Sequence, residues 1–293
     1  MSRALTKPAL RDYLQLMRLD KPVGILLLLW PTLWSLWLAA GGVPSLKNLA
    51  IFVLGCVLMR SAGCVINDYA DRDFDKHVAR TRERPITAGR VPPSHALLLF
   101  AGLCLLALGL VLLTNALTIQ LAFAAVALTA IYPYCKRHTH LPQVVLGAAF
   151  AWAIPMAWAA EKGSLAPGVW LVFCTALLWT LVYDTFYAMV DREDDLKVGI
   201  RSTAILFGDA DRAITGVLQA LVLLALLLIG QKFALRWPYY ASLAVAAGLS
   251  GWQQWLIHDR EPAGCFRAFL NNQWLGLAVF AGIAASLALP SPA

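Results

Sequence analysis

Along most of the chain, apolar residues gather into long runs, and the polar residues are collected between them. A helix needs roughly 20 such residues to cross a hydrocarbon core. Lipid leaves a spanning backbone no hydrogen-bond partners outside a helix or a closed barrel. Nine spanning helices are therefore expected, at residues 23–41, 49–66, 96–114, 116–134, 141–160, 168–190, 213–230, 237–257 and 271–289. The third and fourth are separated by Asn115 alone. On the first, Trp30, Trp34 and Trp37 form an i, i+4, i+7 stripe beside Pro31, which should bend the helix. The stripe either packs or anchors the helix at the membrane boundary, or walls a channel.

Composition agrees with the pattern. The 293 residues are 60% hydrophobic and 14% charged, against about 25% charged in a soluble domain. No linker or low-complexity stretch divides them, so residues 1–293 read as one integral membrane domain, all-α. The formal charge of +7 is a matter of topology. Of 24 lysines and arginines, Lys47, Lys162, Lys232 and Arg236 lie on one side of the expected membrane and Arg60 inside a segment. The rest fall on the side of the N-terminus, which the positive-inside rule makes cytoplasmic; nine crossings then leave the C-terminus on the periplasmic side. No nucleic-acid module is visible. The six cysteines, without a Cys-x-x-Cys pair, read as small buried apolar side chains. The first 22 residues show no cleavable signal, so the first apolar segment is expected to stay as an anchor.

Two long loops on the N-terminal side carry most of the ionisable residues, and they resemble each other. The first contains "CVINDYADRDFDKHVARTRERP", Cys64 to Pro85. Asp71 and Asp75 correspond to Asp191 and Asp195 at a constant offset of 120, and the small-residue clusters "RPITAG" and "RSTAILFG" follow. This suggests two parallel four-helix halves, roughly 18–135 and 141–257, plus a ninth helix at 271–289. A repeat of this kind places its site where the halves meet, around a central cavity.

On a helix continuing from the second segment, Asn67, Asp71 and Asp75 share a face, with Asp68 at its border. Asp191 and Asp195 are spaced the same way. Like charges at this spacing repel, the more so near a low-dielectric core, and a cation relieves them. Hard oxygen ligands suit Mg²⁺; no His or Cys stands close enough to suggest zinc. A solvated acidic loop is the plain alternative. Arg80, Arg82, Arg84 and Arg201 beside the acids argue for a ligand that is itself polyanionic. Carboxylates, Mg²⁺ and arginines together describe a diphosphate site, and its opening toward lipid gives the diphosphate an apolar tail. Within the segments, Arg60 lies seven residues before Asn67 and Asp184 seven before Asp191. Intramembrane charges are functional candidates; these two either position a substrate or neutralise each other.

"NDYADRDFD" resembles the N-D-x-x-D-x-x-x-D signature of the UbiA-type intramembrane prenyltransferases, and "DREDD" their second D-x-x-x-D. "RLDKPVGILLLLWPTLWSLW", "YPYCKRHTHLPQVVLGAAFAW" and "GIRSTAILFG" extend the likeness, between Arg18 and Gly208, to the 4-hydroxybenzoate polyprenyltransferase branch. The resemblance implies Mg²⁺-dependent transfer of a polyprenyl group from its diphosphate to the ring carbon ortho to the hydroxyl of 4-hydroxybenzoate. It also implies a place in ubiquinone synthesis and in the bacterial inner membrane. Asn67, Asp68, Asp71, Asp75, Asp191 and Asp195 are then the expected Mg²⁺ ligands, and Asp71, Asp75, Asp191 and Asp195 the catalytic acids. Arg72, Lys76, Arg82 and Arg201 are the expected diphosphate contacts. Arg137 and Asp184 are the expected contacts of the aromatic acid, since a planar guanidinium grips a carboxylate with two hydrogen bonds. Arg18 and Lys21 are expected to set topology first. The alternatives are a related enzyme with another acceptor (homogentisate, a naphthoate, haem) and a Mg²⁺ or cation transporter. A transporter should carry charges near the midplane, whereas these nearly all lie at one face. The D-G-x-x-A-R signature of CDP-alcohol phosphotransferases is absent.

Overall fold

The computed structural model describes residues 8–77, 80–135 and 138–290, and among them every regular element is helical. The order is α1 (Leu10–Leu16), α2 (Val23–Ala40), α3 (Leu46–Asp71), α4 (Pro93–Val111), α5 (Ala116–Cys135), α6 (Pro142–Ala151) and α7 (Ala153–Lys162). Then come α8 (Pro167–Val190), α9 (Arg192–Val198), α10 (Thr203–Phe207), α11 (Asp211–Lys232), α12 (Trp237–Leu256) and α13 (Pro262–Ala288). Short 3₁₀ turns lie at Asp75–His77 and Gly208–Ala210.

Seven stretches are long and apolar enough to cross a membrane, which makes this an integral membrane protein: α2, α3, α4, α6 with α7, α8, α10 with α11, and α13. Two of the nine expected spans fall below that mark. The apolar part of α5, Ala116–Tyr132, is shorter, and α12 is diluted by Tyr239, Tyr240, Gln253 and Gln254.

Local chemistry accounts for the boundaries. Proline stands in the first turn of α4, α6, α8, α12 and α13, where its missing N–H is no loss. Pro262 starts α13 nine residues ahead of the expected segment. Ser45 caps α3 by accepting from the Asn48 N–H at 3.3 Å, and Gly41 closes α2 in the left-handed region at φ 71°. The fifth expected segment is broken between α6 and α7. Pro155 is the cause: it gives no N–H to the Ala151 carbonyl and its ring crowds that oxygen, and α6 ends at Ala151.

The tryptophan stripe packs. Trp34 stacks on Trp179 at 5.4 Å and donates to the Gly276 carbonyl at 3.1 Å. Trp30 and Trp37 press on Phe280. A Cβ on Gly276 would stand 2.5 Å from Trp30 and 2.7 Å from Trp179, so a small residue is what lets α2, α8 and α13 close. Amides hold the other flank: buried Gln219 donates to buried Gln253 at 2.8 Å, and Gln253 to the half-buried Asn271 at 3.0 Å, across α11, α12 and α13. All six cysteines are free, but only Cys56, Cys64 and Cys265 are buried; Cys174 is exposed. Between this sealed side and the looser α4 and α5 lies a large cavity.

Candidate active site

The cavity has a volume of about 1430 Å³. Ile51 and Phe52 of α3, Leu108 and Val111 of α4, and Phe123 and Val126 of α5 line its apolar length. At its other end stand Asn67, Asp68, Asp71, Asp75, Asp191 and Asp195, so both acidic motifs face one space.

Each motif reaches the cavity by a different local route. α3 continues five residues past the expected membrane segment and carries Asn67, Asp68 and Asp71. It ends at Asp71, so Asp75 does not share that helix face as expected; a 3₁₀ turn brings its carboxylate in. The second motif straddles a break. α8 stops at Val190, Asp191 has φ −102° and ψ 5°, and α9 carries Asp195, whose N–H donates to the Asp191 carbonyl at 2.8 Å.

Guanidiniums hold these acids. Asp68, buried, accepts from Arg18 at 2.9 Å and pairs with Arg84 at 3.0 Å. Arg84 also reaches Asp75 at 2.8 Å. Arg80 grips Asp191, with Nε 2.9 and 3.1 Å from the carboxylate oxygens, and lies over the Tyr187 ring at 4.6 Å. Burial raises the Asp75 carboxyl, Arg84 pulls it back, and Asp71 and Asp68 raise it again; it ends above the usual carboxylate range. For Arg84, burial favours the neutral form but Asp68 and Asp75 outweigh it, so its charge is held firmly.

Of the expected diphosphate contacts, the structure brings Arg201 to the cavity. Arg72, Lys76 and Arg82 do not line it. Beyond Asp71 the chain leaves the helix and turns, which swings these side chains outward. Arg72 covers the Tyr69 ring at 4.5 Å, Lys76 pairs with Asp73 at 2.9 Å, and the exposed Arg82 stands 3.9 Å from Glu83. Arg18, Arg80 and Arg84 line it instead, and so does Tyr187, which was not foreseen at all. Arg80 and Arg84 stood in the same basic run as Arg82, and no periodicity in an irregular loop marks which of the three turns inward.

Arg137 lies outside the described residues. Asp184 and Arg60 both line the cavity. Arg60 donates to Cys64 Sγ at 2.8 Å and stands over the Phe150 ring at 5.5 Å, while its Nε is buried without a partner. Gly24 makes the room, since a Cβ there would stand 2.6 Å from that Nε. Arg60 is thus a cation about 10 Å deeper than Asn67 on α3, by the helix rise, aimed into the cavity.

Among the described residues no three His, Cys, Asp or Glu side chains are gathered to hold a metal by themselves. The donor chemistry still fits Mg²⁺. The acids are all hard oxygen donors, and this ion is commonly held by one or two carboxylates with substrate phosphate oxygens completing the shell.

A family model described as the UbiA prenyltransferase family matches residues 28–281. A 4-hydroxybenzoate octaprenyltransferase of Pseudomonas aeruginosa (strain LESB58) is 60% identical over 282 residues, covering 96% of this chain and 95% of that one. One from Alkalilimnicola ehrlichii is 59% identical and covers 97% of this chain and 99% of its own. Among solved structures, a UbiA homologue from Aeropyrum pernix K1 superposes with a TM-score of 0.79 at 23% identity, over 89% of this chain and 97% of that one. A UbiA homologue from Archaeoglobus fulgidus bound to GPP and Mg²⁺ gives 0.71 at 19% identity, over 93% and 99%. At such identities the two structures speak for the fold alone.

Proposed function

The chain belongs to the UbiA prenyltransferase family, and on that premise we propose that it is a 4-hydroxybenzoate polyprenyltransferase of ubiquinone synthesis. It moves a polyprenyl group from polyprenyl diphosphate to the ring carbon ortho to the hydroxyl of 4-hydroxybenzoate and releases diphosphate. One observation carries this reading: a single cavity joins a long apolar section to an end where both acidic motifs and their arginines meet. The first suits an isoprenoid tail and the second a metal-bound diphosphate.

Asn67, Asp68, Asp71, Asp75, Asp191 and Asp195 would hold Mg²⁺. When bound, the ion supplies positive charge that stabilises the departing diphosphate. Arg18, Arg80, Arg84 and Arg201 add guanidinium hydrogen bonds to the same oxygens, so preorganised charge does most of the catalytic work. The allylic C–O bond breaks with its electron pair going to the diphosphate. The aromatic ring then attacks the prenyl carbon, and the ring proton leaves to a base, for which Asp191 is our candidate. Arg60 receives the carboxylate of the aromatic acid, with Arg137 as a second cation and Asp184 beside it. The acidic end faces the cytoplasm, and the two halves, 18–135 and 141–257, meet across it, with the C-terminus in the periplasm.

The test incubates membranes containing the protein with labelled prenyl diphosphate, 4-hydroxybenzoate and Mg²⁺. A lipid-soluble phenolic acid that disappears with EDTA is expected. No product, or product indifferent to EDTA, overturns the proposal.

A further inference from the structure

We infer that Asp211, outside the cavity and outside both acidic motifs, is a positioning residue that sets the second motif for the diphosphate; this rests on the reading above. Asp211 stands at the start of α11 and is fully buried. A buried carboxylate persists when it is paired, and this one holds two guanidiniums. Arg192 reaches its Oδ2 at 3.3 Å, and Arg260 reaches it with Nε at 3.0 and 3.1 Å and Nη2 at 2.9 Å. The Arg212 N–H adds a bond at 2.7 Å.

Both limbs of this clasp end at Asp191. Arg192 is the residue immediately after it and the first of α9, so the pair with Asp211 pins the helix break that decides where Asp191 and Asp195 point. Arg260 lies two residues before α13, whose Phe266 and Phe269 line the cavity and pack on Tyr187 at 6.2 and 4.7 Å. Tyr187 in turn accepts from Arg80, the partner of Asp191. Arg260 also adopts φ 60°, an unfavourable backbone for a residue with a Cβ. Such a conformation survives where the surroundings over-determine it; here Nη2 is additionally bonded to the Asp209 carbonyl at 2.7 Å. One carboxylate thus fixes two walls of the cavity mouth against each other.

The experiment compares Asp211→Asn, Asp211→Glu and Arg192→Gln with the unaltered protein in detergent. It measures KM for both substrates, and binding of inorganic diphosphate with Mg²⁺ by calorimetry. Asp211→Asn should raise KM for the prenyl donor and weaken diphosphate binding by roughly tenfold, with KM for the aromatic acid changed less than twofold. Asp211→Glu should recover part of both. Arg192→Gln keeps the Arg260 pair, and so the anchorage of α13, yet should show the same selective donor defect. The inference fails if both substrates suffer equally, or if Arg192→Gln leaves donor KM and diphosphate binding unchanged. A protein that binds diphosphate but never prenylates 4-hydroxybenzoate would sink the proposed function and leave this inference standing.

Discussion

Arg80 and Asp191 are bonded across the mouth of the cavity, tying the loop behind the first acidic motif to the helix end of the second. Arg84 holds Asp68 and Asp75 together within the first motif. The carboxylates that would receive a cation are thus neutralised by the guanidiniums that would receive a phosphate.

Metal and diphosphate should therefore bind together. Either one alone strands buried charges of the other sign, at a cost of several kcal/mol, whereas both together leave every group paired. Calorimetry should find inorganic diphosphate binding at least roughly tenfold tighter with Mg²⁺ present, and Mg²⁺ tighter with diphosphate by the same factor, as linkage requires. Independent affinities would contradict the exchange.

Within one basic run, Arg84 and Arg82 should behave very differently. Arg84→Gln leaves two buried carboxylates short of a partner and should cost about 3–5 kcal/mol in stability, with activity down on the order of 10²-fold. Arg82→Gln, at an exposed side chain, should stay within about 0.5 kcal/mol and keep most of its activity. Thermal melts and initial rates on the two variants decide; similar losses would mean that Arg82 reaches the site.

Arg60→Leu should damage one substrate only. A charge-assisted hydrogen bond is worth about 1.5–3 kcal/mol, so KM for 4-hydroxybenzoate should rise ten- to a hundredfold. KM for the donor should move less than twofold. Arg137→Ala is expected to act in the same direction. Equal injury to both substrates would remove either arginine from the aromatic site.

Asp75 offers a test of opposite sign for stability and activity. Its carboxyl lies above the usual range because of burial and its acidic neighbours. Between the unfolded value, about 3.9, and the raised folded one, the folded chain holds a proton that the unfolded chain releases. Stability from this group is therefore present at low pH and is lost as pH rises through that window. Asp75→Asn removes the disfavoured charge, so the metal-free protein should melt a few degrees higher at neutral pH, while activity falls on the order of 10²-fold. A lower melting temperature would show that the pair with Arg84 outweighs the burial.

How far the chain could be read follows from what each part depends on. Helix positions were legible because lipid imposes one rule on every spanning segment, and α2, α8, α11 and α12 begin and end within two residues of the apolar runs. Asn67 and Asp71 were legible as neighbours because helix periodicity is local. Asp75 was not, because α3 stops at Asp71, and the stripe of Trp30, Trp34 and Trp37 could not say whether it met a channel or Phe280.

The amino-acid order by itself determined that this is a helical membrane protein with two acidic motifs of matched spacing, since hydropathy and helix period act over a few turns of one chain. The choice among arginines belonged to the tertiary structure. Arg18, Arg80 and Arg84 turn inward while Arg72 and Arg82 face out, and Arg192 meets Asp211 only because α11 and α13 close over the second motif. A side chain in an irregular loop has no period to fix its direction; the charges it meets across the cavity fix it.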